Sequence, residues 1–366
     1  MLQHCGSNNR LLLLGLILLF LTACTTNSNE TLNTSVQGDK IAILLPETKT
    51  ARYESQDLPN FKAKLEELGF DLKNLIYSNA NQDASAQQQQ AEAAITNGAK
   101  VLILDPVDSD AAATIADLAK SKGIPVISYD RLIKGSDAVD YYISFDNEKV
   151  GKLQGESLLI ALKSIHNPTI VMINGSPTDN NAIYFKKGAH SVLDGRVIIA
   201  KEYDTPDWSP DKAQDQMAQA LTALGNRVDG VYAANDGTGG GAIAAMKAGG
   251  IHPLPPVTGQ DAELAAIQRI LIGEQYMTVY KAIKPEAERA AEMAYYLYLG
   301  KTIPDEWITD MVDNGKKEIP SVLLEPIAVT RENVKSTVIA DGFWQVEQVC
   351  TAEYEQACRE VGIIQE

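Results

Sequence analysis

The stretch AANDGTGGGAIAAM, Ala233–Met246, decides the fold. Gly237, Gly239 and Ala242 stand at G-x-G-x-x-A spacing, and Asp261 follows about twenty residues later, where a dinucleotide-binding fingerprint wants a carboxylate for a ribose. In that fingerprint the apolar strand runs straight into the first glycine, so that a pyrophosphate meets bare backbone N–H groups at a helix start. Here Asn235 and Asp236 intervene, and Asp236 puts a carboxylate where phosphates would sit. The segment therefore reads as an apolar strand, DGVYAAN, whose carboxyl end delivers an amide and a carboxylate. The glycines let the chain turn tightly into a helix over 242–248.

The same unit recurs on both sides. Strands are predicted at KIAILL, DLKNLIY, VLILD, IPVISYD and YYISF, then at TIVMIN, RVIIAKEY, DGVYAAN, PPVTGQD and YMTVYK. Helix-period segments over 58–68, 84–96, 111–122, 149–164, 211–224 and 262–270 lie between them. Strands that alternate with helices and are apolar nearly throughout indicate parallel sheets covered on both faces. The fold class is α/β. This many strands suit two doubly wound αβα lobes better than one sheet, as does the length of 366 residues. In such sheets a ligand sits beyond the carboxyl ends of the strands. Those ends carry Asp130-Arg131, Asp146-Asn147, Asn235-Asp236, Gln260-Asp261 and Tyr280-Lys281.

The N-terminus restricts the chemistry. Residues 1–23 contain Arg10 and the run LLLLGLILLFL, too short to span a bilayer comfortably, and read as a signal peptide. Leu21-Thr22-Ala23-Cys24 resembles a lipoprotein signal in which Cys24 becomes the acylated first residue. Residues 24–39, rich in Asn, Thr and Ser, read as a flexible tether. An exported chain has no access to cytosolic nucleotides. The net charge of −16 argues against nucleic acid and anionic lipid as partners. With Cys5 removed and Cys24 lipidated, Cys350 and Cys358 remain, most simply as a disulfide outside the cytoplasm and otherwise as two free thiols. On one helix a spacing of eight separates Cα atoms by about 12 Å, beyond the roughly 7 Å a disulfide reaches, so bonding requires the tail to bend.

Enzyme constellations are missing. The four histidines show no zinc-binding spacing, and there is no G-x-S-x-G elbow or phosphate loop. Asn79, Asn81 and Asp83 begin a calcium-loop pattern that Ala84 and Gln90 break. Only paired carboxylates, which could serve glycoside hydrolysis, keep a catalytic alternative open.

The strand-end residues carry a resemblance to a known family. Tyr129-Asp130-Arg131, YISFDNEKVG (142–151), GSPTDNNA (175–182), AANDGTGGGAI, TGQDAELAAIQRI (258–270), MTVYK (277–281) and IPSVLLEPIAVTRENVKSTVIADGF (319–343) occur in order along nearly the whole mature chain. They resemble the type I periplasmic sugar-binding proteins of bacterial ABC importers. The resemblance implies two lobes joined by a three-segment hinge that close on a sugar. The N-terminal lobe is expected at 40–146 plus about 282–320, the C-terminal lobe at 147–281 plus about 321–345, and a tail with the Cys350–Cys358 pair at 346–366. It further implies a monomer that binds a monosaccharide, D-xylose or a related aldose, with no cofactor, metal or catalysis. Its partners are ABC permease subunits and, through Cys24, a membrane. Presentation of the closed form to a membrane sensor is the alternative.

Matched position by position, sugar contacts fall on Arg52, Tyr53, Arg131, Asn181, Trp208, Asn235, Asp261 and Lys281. Tyr53 stands where xylose-binding members carry tryptophan. Asp130, Asp179 and Asp236 are further candidates, Asp236 being equally suited to capping the next helix. Planar Arg, Asn and Asp groups suit vicinal hydroxyls, and Trp208 and Tyr53 suit a sugar's C–H face. Arg131→Ala and Asp261→Ala are accordingly expected to abolish binding while sparing the sugar-free fold.

Overall fold

The computed structural model describes residues 39–365. The signal segment, Cys24 and most of the tether lie outside the described residues.

Two sheets organise the chain. Its first part alternates β1 (Lys40–Leu45), α1 (Leu58–Glu67), β2 (Leu75–Asn79), α2 (Ala84–Thr96), β3 (Ala99–Leu104), α3 (Ala113–Ser121), β4 (Val126–Tyr129) and β5 (Tyr141–Phe145). The second part runs α4 (Asn147–Ala161), β6 (Thr169–Asn174), α5 (Asn180–Leu193), β7 (Ile198–Asp204), α6 (Pro210–Leu224), β8 (Gly230–Ala233), α7 (Asp236–Ala248), α8 (Leu264–Leu271) and β9 (Met277–Tyr280). The chain then returns through α9 (Ile283–Tyr298), β10 (Asp310–Asp313) and β11 (Glu318–Leu324) to the first sheet, and through β12 (Ile327–Thr330), α10 (Val346–Val349) and α11 (Glu355–Glu360) to the second part.

The first sheet has the order β10-β11-β5-β4-β3-β1-β2, parallel except for the β10–β11 pair. Ile41, Ile43, Val101 and Ile127 pack on one face with Phe61, Leu65 and the Ala287–Ala291 stripe of α9; Ala42, Leu44, Leu102 and Leu104 pack on the other with α2 and α3. Fully apolar strands are what two covered faces demand. In the second part β7-β6-β8 are parallel, and β9 pairs antiparallel with β12.

PPVTGQD does not form the predicted strand. Pro255 and Pro256 have no N–H to give a ladder, and only Val257 forms a bridge, to Val231. The segment still joins β8 to β9: Val231 N–H donates to the Pro256 carbonyl at 2.9 Å, and Asp261 N–H to the Val279 carbonyl at 2.9 Å. The second sheet is thereby continuous across its middle.

A further difference lies in α7, which begins at Asp236 rather than 242, so that the glycines sit inside the helix. Glycine is a poor helix former, but here packing decides. A Cβ on Gly241 would lie 2.2 Å from the Pro210 carbonyl of α6, and one on Gly239 would lie 3.1 Å from the Thr258 carbonyl.

Three segments cross between the parts: Phe145 to Asn147, Lys281 to Ile283, and Leu324 to Ile327. The last falls beyond the anticipated boundary near 320, because β11 stays paired with β5 as far as Leu324 opposite Phe145. In the tail the chain bends between α10 and α11, which brings the Cα atoms of Cys350 and Cys358 to 5.9 Å. Among the described residues no helix is long and apolar enough to cross a membrane.

Candidate functional site

The carboxyl ends of both sheets face one small cavity. Both sheets reverse strand order beside it. β1 lies between β3 and β2, and β6 between β7 and β8, the arrangement that opens a crevice at strand ends.

Each wall residue has a local reason for its place. β1 leads through the loop after Leu45 into a helical turn carrying Arg52 and Tyr53. β4 ends at Tyr129, and Asp130 then takes a φ of 52°, which aims Asp130 and Arg131 inward. Asp179 caps α5 by accepting the Asn181 N–H at 2.8 Å, which fixes Asn181 in the first turn. Trp208 (φ 52°) and Asp261 (φ 93°) also have left-handed backbones. Such conformations cost energy for residues other than glycine and cluster at ligand sites.

All of Arg52, Tyr53, Asp130, Arg131, Asp179, Asn181, Trp208, Asn235, Asp261 and Lys281 line the cavity; Asp236 does not. Three cations alternate with three carboxylates. Arg52 Nη1 bonds Asp130 at 3.0 Å, while its other nitrogens hold Asp57 at 2.6 and 3.0 Å and Glu286 at 2.6 Å. Arg131 Nε lies 3.0 Å from Asp179, and Nη2 lies 3.5 Å from Glu47. Lys281 Nζ stands 3.5 Å from Asp130 and 3.3 Å from Asp261.

This charge lattice sets the protonation states. Burial alone would push the Asp130 carboxyl up, but Arg52, Lys281 and Arg131 outweigh it and hold Asp130 well below the usual carboxylate range. Burial pulls the Lys281 ammonium down, yet Asp130 and Asp261 raise it above its ordinary value. Asp179 is pushed up by burial, against the pull of Arg131. The balance of signs favours a neutral, hydroxyl-rich guest over a strongly charged one.

The apolar part of the wall is Trp208, edge-on to Phe185 with ring centroids 6.3 Å apart, its Nε1 donating to Asp179 at 3.0 Å. Gly175 makes room for it, since a Cβ there would lie 2.0 Å from the indole ring. Tyr53 is placed differently: its hydroxyl donates to Asp130 Oδ2 at 3.0 Å, and two guanidiniums lie over its ring.

Asn235 does two jobs. Its Oδ1 accepts the Thr238 N–H at 2.9 Å in a capping box on α7, while Nδ2, which makes no hydrogen bond to a described residue, remains for the cavity. Asp236 neither caps nor reaches the cavity. Its carboxylate accepts from Gln275 at 2.7 Å, Thr278 at 2.8 Å and the Glu263 N–H at 2.9 Å, all within the second part.

Thr50, Phe185 and Gln260 also line the cavity; Gln260 was noted as a strand-end residue but not matched as a sugar contact, and Thr50 and Phe185 were not anticipated. Phe185 follows Asn181 by one helical turn on α5, a spacing that places both on one face. Gln260 Nε2 holds Asp261 Oδ2 at 2.9 Å. Thr50 carried no sequence signal beyond its loop.

Walls from the two parts touch directly. Ser109 N–H donates to the Thr178 carbonyl at 3.0 Å, Asn180 N–H to Ser109 Oγ at 3.1 Å, and Asn181 Nδ2 to the Asp130 carbonyl at 3.0 Å. Arg131 and Lys281 are each only 2% exposed. The charged wall is thus shielded from bulk solvent where the two parts meet.

A two-part α/β molecule with an enclosed polar crevice is the architecture of a solute-binding protein. The family model for the periplasmic binding protein domain matches residues 41–302, and the chain belongs to that family. The D-xylose-binding periplasmic protein of Haemophilus influenzae is 41% identical over 315 residues, 85% of this chain and 92% of the relative. The D-xylose-binding periplasmic protein of Escherichia coli is 37% identical over 330 residues, 89% of this chain and 97% of the relative. Among solved structures, an ABC transporter solute-binding protein from Clostridium phytofermentans with bound β-D-glucose has a TM-score of 0.79 and 31% identity, covering 85% of this chain and all of that one. Members of the family are substrate-binding proteins, not enzymes.

Proposed function

We propose that this protein captures one monosaccharide, D-xylose or a related aldose, between two closing lobes and delivers it to an ABC permease. The lobes are 40–146 with the α9 to β11 segment, and 147–281 with β12 and the tail. The carrying observation is the cavity wall in which Arg52, Arg131 and Lys281 alternate with Asp130, Asp179 and Asp261 beside Trp208. Paired charges in a dry cleft make strong hydrogen bonds to neutral hydroxyls, and the indole suits a C–H face. Asn181 and Asn235 supply amides that donate and accept. The names of the relatives favour xylose, and glucose in the Clostridium structure keeps hexoses in the test.

Export, the lipid anchor at Cys24 and a monomeric state belong to the same proposal. So does a Cys350–Cys358 disulfide, supported by the 5.9 Å Cα separation. Calorimetric titration with a monosaccharide panel tests the function: saturable 1:1 binding of xylose or another aldose is expected, and no response to any pentose or hexose overturns it.

A further inference from the structure

Tyr53 is engaged by its neighbours in three ways. Its hydroxyl donates to Asp130 Oδ2 at 3.0 Å. Arg52 and Arg131 both lie over its ring, with guanidinium carbons 5.4 and 5.6 Å from the centroid. Two like charges gathered at one site repel, and an aromatic face that attracts each of them offsets part of that repulsion while fixing their positions. The side chain lines the cavity and is buried, packed in the first core with Leu58 and Phe61, as Trp208 is buried and packed in the second part's core. What sets Trp208 apart is that, among the contacts of the described residues, no cation lies over its ring, which packs edge-on to Phe185.

We propose that Tyr53 is a positioning residue, which seats Arg52 and Arg131 on its ring and orients Asp130 through its hydroxyl, rather than a stacking wall for the sugar. Trp208 and Phe185 are then the aromatic surfaces offered to the guest. The inference rests on the sugar-binding reading of this cavity. It predicts that the Tyr53 hydroxyl matters to affinity without touching the sugar, which a stacking wall does not require.

The test is a cycle of Tyr53→Phe, Asp130→Asn and the double variant, titrated with D-xylose and with D-glucose. Tyr53→Phe keeps the ring and its arginines but removes the bond to Asp130, so affinity falls roughly tenfold. In the Asp130→Asn background the same change costs no more than about twofold, because the partner is already altered. Tyr53→Leu, which removes the ring as well, loses roughly a hundredfold. Parental affinity in Tyr53→Phe, or single effects that multiply in the double variant, overturns the proposal. Where Asp130→Asn binds too weakly to titrate, melting temperatures of the four sugar-free proteins give the same cycle, with non-additivity expected and additivity overturning the inference. If the parent binds no pentose or hexose at all, the sugar reading fails, and the melting cycle still judges the Tyr53–Asp130 coupling separately.

Discussion

Asp130 and Asp236 each lie close after the carboxyl end of a strand, β4 in the first lobe and β8 in the second, and both are buried. Their surroundings differ in kind. Asp130 meets Arg52 at 3.0 Å and Lys281 at 3.5 Å and borders the cavity. Asp236 meets only neutral donors, Gln275, Thr278 and the Glu263 N–H, while Arg269 bonds its backbone carbonyl at 2.9 Å instead of its carboxylate. Asp130 is therefore held low, whereas burial pushes Asp236 up to about 7 despite those bonds and the nearby Arg269. A carboxylate at a strand end is thus not a ligand group by position alone. What decides is whether its lone pairs face cations and open space or are consumed inside its own lobe.

The largest effect should come from removing the cation on the Asp130 side. Arg52→Met leaves Asp57, Glu286 and Asp130 buried without their shared partner. Stripping one partner from a buried ion cluster costs about 3–5 kcal/mol, so urea denaturation should show a loss of that size together with lost sugar binding. Arg269→Met on the other side removes bonds to Gln275 and a carbonyl and should cost about 1 kcal/mol with affinity retained. Equal losses from the two substitutions would break the distinction. Arg131 belongs with Arg52: its contacts with Glu47, Asp105 and Asp179 mean that Arg131→Ala should destabilise the sugar-free protein too, contrary to the expectation drawn from sequence.

Two glycines separate the sides by packing. A Cβ on Gly259 would lie 1.9 Å from Asp236 Oδ1 and 2.4 Å from Gln275 Nε2. Those groups cannot shift without breaking Asp236's bonds, so Gly259→Ala should cost about 3 kcal/mol, at the upper end for overpacking. Gly175→Ala pushes on the Trp208 indole, which can tilt into the cavity. Stability should fall by about 1 kcal/mol, with sugar affinity down roughly tenfold. Denaturation and titration of both variants read the contrast; the reverse pattern would place Trp208 in the structural core and Asp236 in the site.

Much of this was legible in the sequence, for a physical reason. Parallel strands covered on both faces must be apolar throughout, so TIVMIN or KIAILL identifies itself, and the chemistry is left to the residues just past each strand. That logic put Asp130, Arg131, Asn235, Asp261 and Lys281 among the polar strand ends, and the family resemblance singled out Arg131, Asn235, Asp261 and Lys281 as contacts. It could not settle Asp236, whose bonds go to Glu263, Gln275 and Thr278, 27 to 42 residues away. The glycines of α7 were misplaced for the same kind of reason: local propensity argues against a helix there, and contact with α6 overrides it. Phe185 was recoverable from its one-turn offset to Asn181. Tyr53, matched as a sugar contact, lines the cavity, but two cations over one ring is a tertiary fact that spacing does not encode.

The smallest effect, a pH dependence, compares the two carboxylates most directly. Asp236 titrates near 7 in the fold and near 4 when unfolded, so between those values the folded state holds the extra proton. Stability contributed by this group is then greatest in acid and is lost as pH rises through that window. Glu263, pushed up by burial and by Asp236 and Asp261, acts with the same sign. Denaturant unfolding should show the protein about 2 kcal/mol less stable at pH 8 than at pH 5, and Asp236→Asn should flatten that slope whatever it does to absolute stability. Asp130 has the opposite sign: held low, it contributes stability above its unfolded value and loses it only as pH falls through its folded one. Sugar affinity should accordingly change less than about twofold between pH 5 and 8 while stability slopes downward. An affinity that follows the stability slope would mean that Asp236 and the cavity are coupled after all.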